Sequence, residues 1–591
     1  MSNDTSLTND NLTDSIITEK YAVNEEKSWE DICERVSNAV GTTNQIRKTY
    51  YDLMKDKKLL PGGRILVGAG NKTYKNTLYN CFYIDINGDS LSSIFQWCSD
   101  ASKTYSLGGG MGVSLEVLRP KGSQVSNAAR TSTGGVSFSN LFSEVTGTIG
   151  QHGRRGALMI TLPVDYPDIV DFITMKNDEH RSNVRYANIS VKITDHFMGC
   201  VQNDMDFPLQ WEGKEYGKIS ARKLFRMISH NAHASAEPGV LFWDTIKKKS
   251  PSEYCAPVRG TNPCSEIPLE SGGGCLLASV NISNYVKNGQ LDIKELENGI
   301  GFGVMFLDDC IDYSTNTNSF ALLKQQKQAY ATRRIGLSYT GLGDALIKCK
   351  VKYGSDESIK WIRNAMKILR DVSYSTSSML AKKRGAFPLY DKDLHNLDTI
   401  FSEDARIDSE SLKSDIKNNG LRNVVCNTIP PAGTISSLAD CSSGIEPVYS
   451  FVHTRKSESM GKVFNVYHSL IKKYHKENGE DSNLPDYFVS AYDINYKDRI
   501  KVQSEAQKFI DQAISSTINL PETVSAEDIE DVYMNAWTSG LKGLSIYREG
   551  SREGILTSSA EQCFRCKKHA VTDDGSGCKR CFSCGNSSCE L

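Results

Sequence analysis

The sequence carries no excess of either charge: 69 Lys+Arg stand against 71 Asp+Glu, a formal net charge of −2. Without surplus positive charge the chain has little with which to neutralise a polyanion, so direct nucleic-acid binding is set aside while small anionic ligands stay open. Long apolar runs are also missing. The longest, lying between Asn298 and Asp308, reaches nine residues, about half of the roughly 18–20 a membrane span needs. The N-terminus is rich in Ser, Thr, Asn and Asp and has neither the basic start nor the apolar stretch of a secretion signal, so a soluble cytoplasmic protein with no membrane contact is expected. Prolines number only 16 and no internal repeat is visible, which excludes collagen-like and solenoid chains. What is present, 591 residues with 39% hydrophobic content, suffices for a large core.

Cysteine is plentiful but uneven. Of 17, eleven are scattered up to residue 562 and six crowd into the last 29 positions. Clustered thiols in a reducing compartment more often hold metal or cycle redox state than cross-link a fold. Residues 1–25 read as a mobile polar tail, and residues 549–562, with Gly550-Ser551-Arg552-Glu553-Gly554 and Thr557-Ser558-Ser559, as a flexible tether to a cysteine-rich tail at 563–591.

From Tyr83 onward short apolar or alternating segments mix with amphipathic ones, which favours an α/β architecture. Val113, Leu115 and Val117 alternate before Arg119-Pro120, and Ile189, Val191 and Ile193 alternate after Asn188; both stretches predict strands. Over 356–384, Ile359, Ile362, Met366, Leu369 and Val372 share one helical face. Ser355 is placed to cap that helix, and Lys382, Lys383 and Arg384 precede a stopping Gly385.

Four constellations can carry chemistry. In Asn262-Pro263-Cys264-Ser265-Glu266, an extended backbone would set Asn262, Cys264 and Glu266 on one side about 6–7 Å apart, joining an amide, a sulfur and a carboxylate base. Cys275 follows Gly272-Gly273-Gly274, and Cys81 follows Asn80; glycines let backbone approach a ligand closely, although either thiol could equally be small core filling. Pro430-Pro431-Ala432-Gly433-Thr434-Ile435-Ser436-Ser437 offers hydroxyls and backbone N–H groups suited to phosphate if it leads into a helix, or an ordinary turn if it does not. Finally, Cys563-x2-Cys566 and Cys578-x2-Cys581, separated by eleven residues, match a tetrathiolate zinc ribbon and leave Cys584 and Cys589 as a mobile dithiol. A set with Cys584 in place of Cys578 is the alternative.

Together these stretches resemble the catalytic subunit of ribonucleotide reductases. The likeness runs from about residue 55 to 591 and is carried by Leu60-Pro61-Gly62-Gly63-Arg64-Ile65-Leu66, Tyr79-Asn80-Cys81-Phe82, Gly108-Gly109-Gly110-Met111-Gly112, Leu118-Arg119-Pro120-Lys121-Gly122, Asn262-Pro263-Cys264-Ser265-Glu266, Cys275-Leu276-Leu277, Pro431-Ala432-Gly433-Thr434-Ile435-Ser436, Ser442-Ser443-Gly444-Ile445-Glu446-Pro447 and the terminal cysteines. The resemblance implies a helical region over 26–75 and, over 76–548, a ten-stranded α/β barrel whose central finger loop presents Cys264. It further implies a thiyl radical on Cys264, Glu266 as base for the 3′-hydroxyl and Asn262 orienting the sugar of a ribonucleotide. Two reducing equivalents would come from Cys81 and Cys275, the substrate phosphates would meet Pro431 to Ser436, and Cys584 and Cys589 would re-reduce the resulting disulfide with electrons from a thioredoxin- or glutaredoxin-like protein.

Within the family, members that depend on a separate metal-containing radical subunit carry two adjacent tyrosines near the C-terminus. Here Lys542-Gly543-Leu544-Ser545-Ile546-Tyr547-Arg548 has Ile546 at the first of those positions. This segment and the zinc-binding tail look like the adenosylcobalamin-dependent class II enzymes, with the two-subunit class and a catalytically inactive nucleotide-binding regulator as alternatives. By the same resemblance, Asp89, Ser90 and Arg185 would meet a deoxynucleoside triphosphate effector near the interface of a homodimer. Ile65 and Asn80 stand where many members have Thr and Ser, which leaves the choice between diphosphate and triphosphate substrates open.

Overall fold

The computed structural model describes residues 13–551 apart from 15, 24, 152–153, 178–183, 402–408, 458–461 and 480–481, and, C-terminal to these, residues 561–562, 569–573, 578–581 and 587–589. Its centre is a sheet of ten strands: β1 (Leu59–Pro61), β2 (Cys81–Tyr83), β3 (Gly110–Ser114), β4 (Leu158–Pro163), β5 (Ala187–Ile193), β6 (Gly239–Phe242), β7 (Gly274–Asn281), β8 (Ile335–Thr340), β9 (Thr517–Leu520) and β10 (Gly543–Arg548). β7 and β8 are buried at every position. Strands covered on both faces by helices lose the in–out alternation of a half-exposed sheet, as expected of parallel strands in an α/β protein.

β2 to β6 pair in sequence order and in parallel. β7 runs antiparallel to β2 and parallel to β8, while β10 runs antiparallel to β6 and parallel to β9, so two parallel sets meet head to tail. Beyond the ladder, β8 continues through Leu337 N–H to the Cys426 carbonyl (2.8 Å), and Ile429 donates to the Ala513 carbonyl (3.2 Å) a few residues before β9. These bonds carry the pairing from β8 round to β9 and curl the sheet towards a ring. Burial of the backbone polar groups requires such partners.

The N-terminal helices form for local reasons: Ser28 and Asp31 make a capping box for Trp29–Val40, and Thr43 caps Asn44–Lys55. They dock on the long helix Ile293–Asn316, where the Tyr50 hydroxyl donates to Asp309 (2.7 Å) and the Tyr50 ring meets Phe306 edge-on. The predicted helix over 356–384 is found as Asp356–Arg384, capped by Ser355 and ended at Gly385 with φ 87°. Ala187–Ile193 is likewise a strand. Among the described residues no helix is long and apolar enough to cross a membrane.

Two expectations are corrected. The alternation of Val113, Leu115 and Val117 does not make one strand, because β3 ends at Ser114 and the Leu118 N–H folds back on the Leu115 carbonyl (3.0 Å). The N-terminal tail does not extend to residue 25: Ile16, Ile17, Tyr21 and Val23 are buried, and the first three join the main core. Of the tether at 549–562, residues 552–560 lie outside the described residues.

A short antiparallel hairpin, Gly260–Thr261 with Pro268–Leu269, packs against β2 and β3. It comes so near that a Cβ on Gly112 would lie 1.8 Å from the Thr261 carbonyl oxygen. Gly112→Ala should therefore destabilise the protein by about 1–3 kcal/mol. By contrast Gly199→Ala, in the helix Asp195–Gln202 where an added Cβ meets nothing within 4 Å, should be neutral or stabilising by up to about 1 kcal/mol. Thermal melting of both variants checks this; an unchanged Gly112→Ala would contradict the close approach.

Candidate active site

The hairpin carries Asn262 to Glu266 in its turn. Ser265 has φ 67°, a left-handed conformation, so this segment is not the extended one that alternation assumed. The turn still gathers the three residues. Asn262 holds it closed, its N–H donating to the Ile267 carbonyl (3.3 Å) and its Oδ1 accepting from the Ile267 N–H (2.9 Å). Outside the hairpin, Thr428 Oγ1 (2.7 Å) and the Ala513 N–H (2.9 Å) both donate to the Glu266 carbonyl. Gly110 leaves room for Pro263, since a Cβ there would sit 3.0 Å from Pro263 Cγ.

Cys81 and Cys275 are register partners in the antiparallel pairing of β2 with β7, so the two thiols the sequence set 194 positions apart occupy facing backbone positions. Both are free thiols, Cys275 buried and Cys81 partly exposed. Directly opposed residues in such a pair have Cα atoms about 4.5–5.5 Å apart, inside the range of about 4.4–6.8 Å that a disulfide spans. A Cβ on Gly336 would lie 3.0 Å from Cys275 Sγ, so glycine there keeps space for the sulfur.

Electrostatically the site favours neutral forms. Burial, with Glu266 and Cys81 nearby, pushes the Cys264 thiol well above its ordinary value. Burial and then the Glu266 charge raise Cys81 to about 12, with Asn262 and Arg64 opposing. Cys275 is raised well above its ordinary value by burial, although Arg334 opposes. Glu266 is pushed up to about 7 by burial, with the Asn262 amide and its own backbone N–H opposing. These thiols stay protonated, which suits hydrogen-atom or proton donation and not standing thiolate nucleophiles.

Around Cys81 three polar atoms are buried with no hydrogen-bond partner among the described residues: Asn80 Oδ1, Asn262 Nδ2 and Glu266 Oε2. The Asn262 amide is near enough to temper the pKa of both Cys81 and Glu266, yet is not aligned to bond either. Cys264, by contrast, has exposed surface although protein crowds it closely enough to raise its pKa. Its accessible surface leaves space for a ligand beside the unpaired atoms. Leaving one such polar atom unsatisfied costs about 1–3 kcal/mol, so the arrangement is one that a polar ligand in that space would complete.

The segment from Pro431 to Ser436 leads into a helix, Gly433–Ala439; a Cβ on Gly433 would meet nothing within 4 Å, while the Ala432 N–H is held by Ser443 Oγ (3.0 Å). Pro431 is exposed, Thr434 and Ile435 are half-buried, and Ser436 is buried with its hydroxyl on the Gly433 carbonyl. Asp89 pairs with Arg119 (2.5 Å) and Ser90 caps the helix Leu91–Ser106. That helix packs Trp97 at a tilt against Phe142 of the helix Ser139–Thr148, against which Tyr186 packs through Ser143 and Gly147. Arg185 is exposed with its guanidinium 4.6 Å from the centre of the Tyr186 ring, so the three residues border one connected helix pair.

Of the tail cysteines, Cys563, Cys566 and Cys584 lie outside the described residues, whereas Cys578, Cys581 and Cys589 are on strands. Among the described residues no group of three or more His, Cys, Asp or Glu is placed to hold a metal. Ile546 is buried in β10.

Several positioning groups escaped sequence reasoning. Lys192, buried in β5, donates to Ser114 Oγ (3.1 Å), Glu116 (3.1 Å) and the Arg259 carbonyl (2.7 Å), tying the strand ends to the start of the hairpin. A lysine alternating with Val191 and Ile193 was the available signal. Thr428, and Arg334 paired with Glu270 at 2.7 Å, gave none, since their partners are distant in sequence.

A family model described as ribonucleotide reductase, barrel domain, matches residues 79–547. The vitamin B12-dependent ribonucleoside-diphosphate reductase of Mycobacterium tuberculosis is 31% identical over 542 residues, covering 88% of this chain and 74% of the relative. A protein of the same description from Thermoplasma acidophilum is 31% identical over 561 residues, 91% of this chain and 70% of the relative. The ribonucleoside-diphosphate reductase subunit alpha of Chlamydia muridarum is 26% identical over 588 residues, 86% of this chain and 55% of the relative.

Because the Glu266 pKa is raised from 4.5 to about 7 in the fold, its contribution to stability is fully present below pH 4.5 and is lost as the pH rises through about 7. Glu266→Gln removes that loss. Relative to wild type, the variant should gain on the order of 2–3 kcal/mol between about pH 5 and pH 8, read from urea unfolding at the two pH values. A difference independent of pH would contradict the elevated carboxyl.

Proposed function

The chain belongs to the ribonucleotide reductases, and from that premise we propose that it converts ribonucleotides to 2′-deoxyribonucleotides through a thiyl radical on Cys264, with adenosylcobalamin as the radical source. The observation that carries this reading is the set of unsatisfied Asn80, Asn262 and Glu266 atoms beside the accessible Cys264 and the register-paired Cys81 and Cys275. A ribose offers the hydroxyls those atoms lack.

With the sugar in that space, the Cys264 thiyl takes the 3′-hydrogen. Glu266, poised near pH 7, accepts the 3′-hydroxyl proton while Asn262 Nδ2 donates to the sugar. The protonated thiols of Cys81 and Cys275 supply two electrons and two protons; the 2′-hydroxyl leaves as water, a Cys81–Cys275 disulfide forms, and Cys264 returns its hydrogen to C3′. The burial of Asn262, Glu266 and Cys275 suits this chemistry because solvent or stray thiols would quench the radical. The segment from Pro431 to Ser436 would receive the substrate phosphates at the open start of its helix.

Adenosylcobalamin, when bound, supplies the radical that oxidises Cys264. The names of the Mycobacterium and Thermoplasma relatives support it, as does the buried, redox-inert Ile546 where a two-tyrosine relay would need a ring. Cys264, with its free surface, is the residue that would face it. A deoxynucleoside triphosphate effector would bind beside Asp89, Ser90 and Arg185 near a homodimer interface. The C-terminal cysteines would hold zinc and relay electrons from a thioredoxin- or glutaredoxin-like protein in the cytoplasm.

The purified chain, given adenosylcobalamin, dithiothreitol and CDP or CTP, should form deoxynucleotide with no second protein. Cys264→Ser should reduce the product to background. Activity that appears only with a separate metal-containing subunit would overturn the cobalamin assignment, and full activity in Cys264→Ser would overturn the radical site.

A further inference from the structure

The loop that follows the helix Gly433–Ala439 straps it at both ends. At the C-terminal end the Cys441 N–H donates to the Ser436 carbonyl (3.0 Å), and Asp440, at φ 53°, turns the chain back. Two residues further on, Ser443 Oγ accepts from the Ala432 N–H (3.0 Å), directly before the helix begins.

The strap is itself fixed to a third element, the end of β8 and the helix Leu342–Lys348 that follows. The Ser442 N–H donates to Asp344 Oδ2 (2.6 Å), and Ser442 Oγ accepts from the Gly343 N–H (3.0 Å). The Ser442 carbonyl accepts from Thr340 Oγ1 (2.9 Å) and the Gly341 N–H (2.8 Å). All three polar groups of Ser442 are thus held within residues 340–344. The approach is close, since a Cβ on Gly343 would lie 2.9 Å from the Val448 nitrogen and 3.1 Å from the Glu446 carbonyl oxygen.

From this chain of bonds we propose that Asp344 is a positioning residue for the substrate phosphates, acting through Ser442 and Ser443 on the start of the helix Gly433–Ala439. The inference rests on the reading of the segment from Pro431 to Ser436 as the phosphate site. Asp344 is 2% exposed and does not itself meet a nucleotide, so its influence passes through the strap. A carboxylate is the fitting anchor because a hydrogen bond to an ionised acceptor is about twice as strong as one between neutral groups. His468 supports that charge, its Nε2 lying 3.2 Å from Asp344 Oδ1. Burial alone would raise the Asp344 carboxyl, but His468 and the Ser442 N–H outweigh it and hold the carboxyl below its ordinary value.

The test is equilibrium binding of CDP, CTP and phosphate-free cytidine to the full chain, by calorimetry. Asp344→Asn and Ser443→Ala should each weaken the better-bound nucleotide about tenfold, the scale of one hydrogen bond to a charged group, and leave cytidine within about twofold. Because both substitutions cut one route, the double variant should bind no more weakly than the weaker single one. Unchanged nucleotide affinity in Asp344→Asn, an equal loss for cytidine, or losses that multiply in the double variant would overturn the proposal. Should Asp344→Asn not fold, Ser443→Ala decides: a loss confined to the nucleotides supports the strap, and unaltered binding overturns it.

Gly433→Glu, whose side chain enters open space, sets a carboxylate at the helix start and should remove the advantage of nucleotide over nucleoside. If it does so while Asp344→Asn changes nothing, the Asp344 inference alone has failed. If nucleotide binding survives Gly433→Glu, the phosphate reading has failed and the inference falls with it.

Discussion

Two donors converge on one backbone oxygen: Thr428 Oγ1 at 2.7 Å and the Ala513 N–H at 2.9 Å both bind the Glu266 carbonyl. Thr428 and Ala513 belong to the two segments that carry the pairing from β8 to β9, so the bonds that curl the sheet also fix the turn that holds Cys264. From the opposite side, Gly112 admits the Thr261 carbonyl where a Cβ would collide. The loop is thus clamped between distant parts of one fold. A site that must hold reacting atoms to within a fraction of an ångström gains from rigid supports of this kind.

Burial does the chemical tuning. The same exclusion of water that raises the three thiols brings Glu266 to about 7, where it can both accept and return a proton near neutral pH. The supporting charges are themselves neutralised nearby. Asp511 accepts from the Tyr374 hydroxyl and from the Cys426 and Asn427 N–H groups, and buried Lys542 donates to the Asp511 carbonyl, locking the two closing segments together. Lys542 is itself buried, and burial depresses it to about 7.

Much of this was legible in the sequence because it is local. Helix 356–384 announces its cap, its face and its stop within its own residues, and the strand after Asn188 announces itself by alternation. The motif residues Cys81, Asn262, Cys264, Glu266 and Cys275 could be picked out, but their meeting could not be derived from spacing. Asn262 to Glu266 come together through a left-handed turn at Ser265, not an extended strand, and Cys81 faces Cys275 only because β2 and β7 pair. Thr428 and Arg334 give no local signal, and Lys192 only that of a lysine alternating with Val191 and Ile193, because a side chain's role as a brace is set by partners many residues away.

The central claim is that one ribose lies between the Cys264 sulfur and the Cys81–Cys275 pair. A crystal structure of the reduced chain with a bound ribonucleotide tests it most directly. The account requires C3′ in van der Waals contact with Cys264 Sγ, at about 3.5–4 Å, with Glu266 and Asn262 bonded to the sugar hydroxyls and Cys81 on the 2′ side. A ribose seated elsewhere, with Cys264 out of reach of C3′ and the buried amide and carboxyl still unpaired, would contradict it.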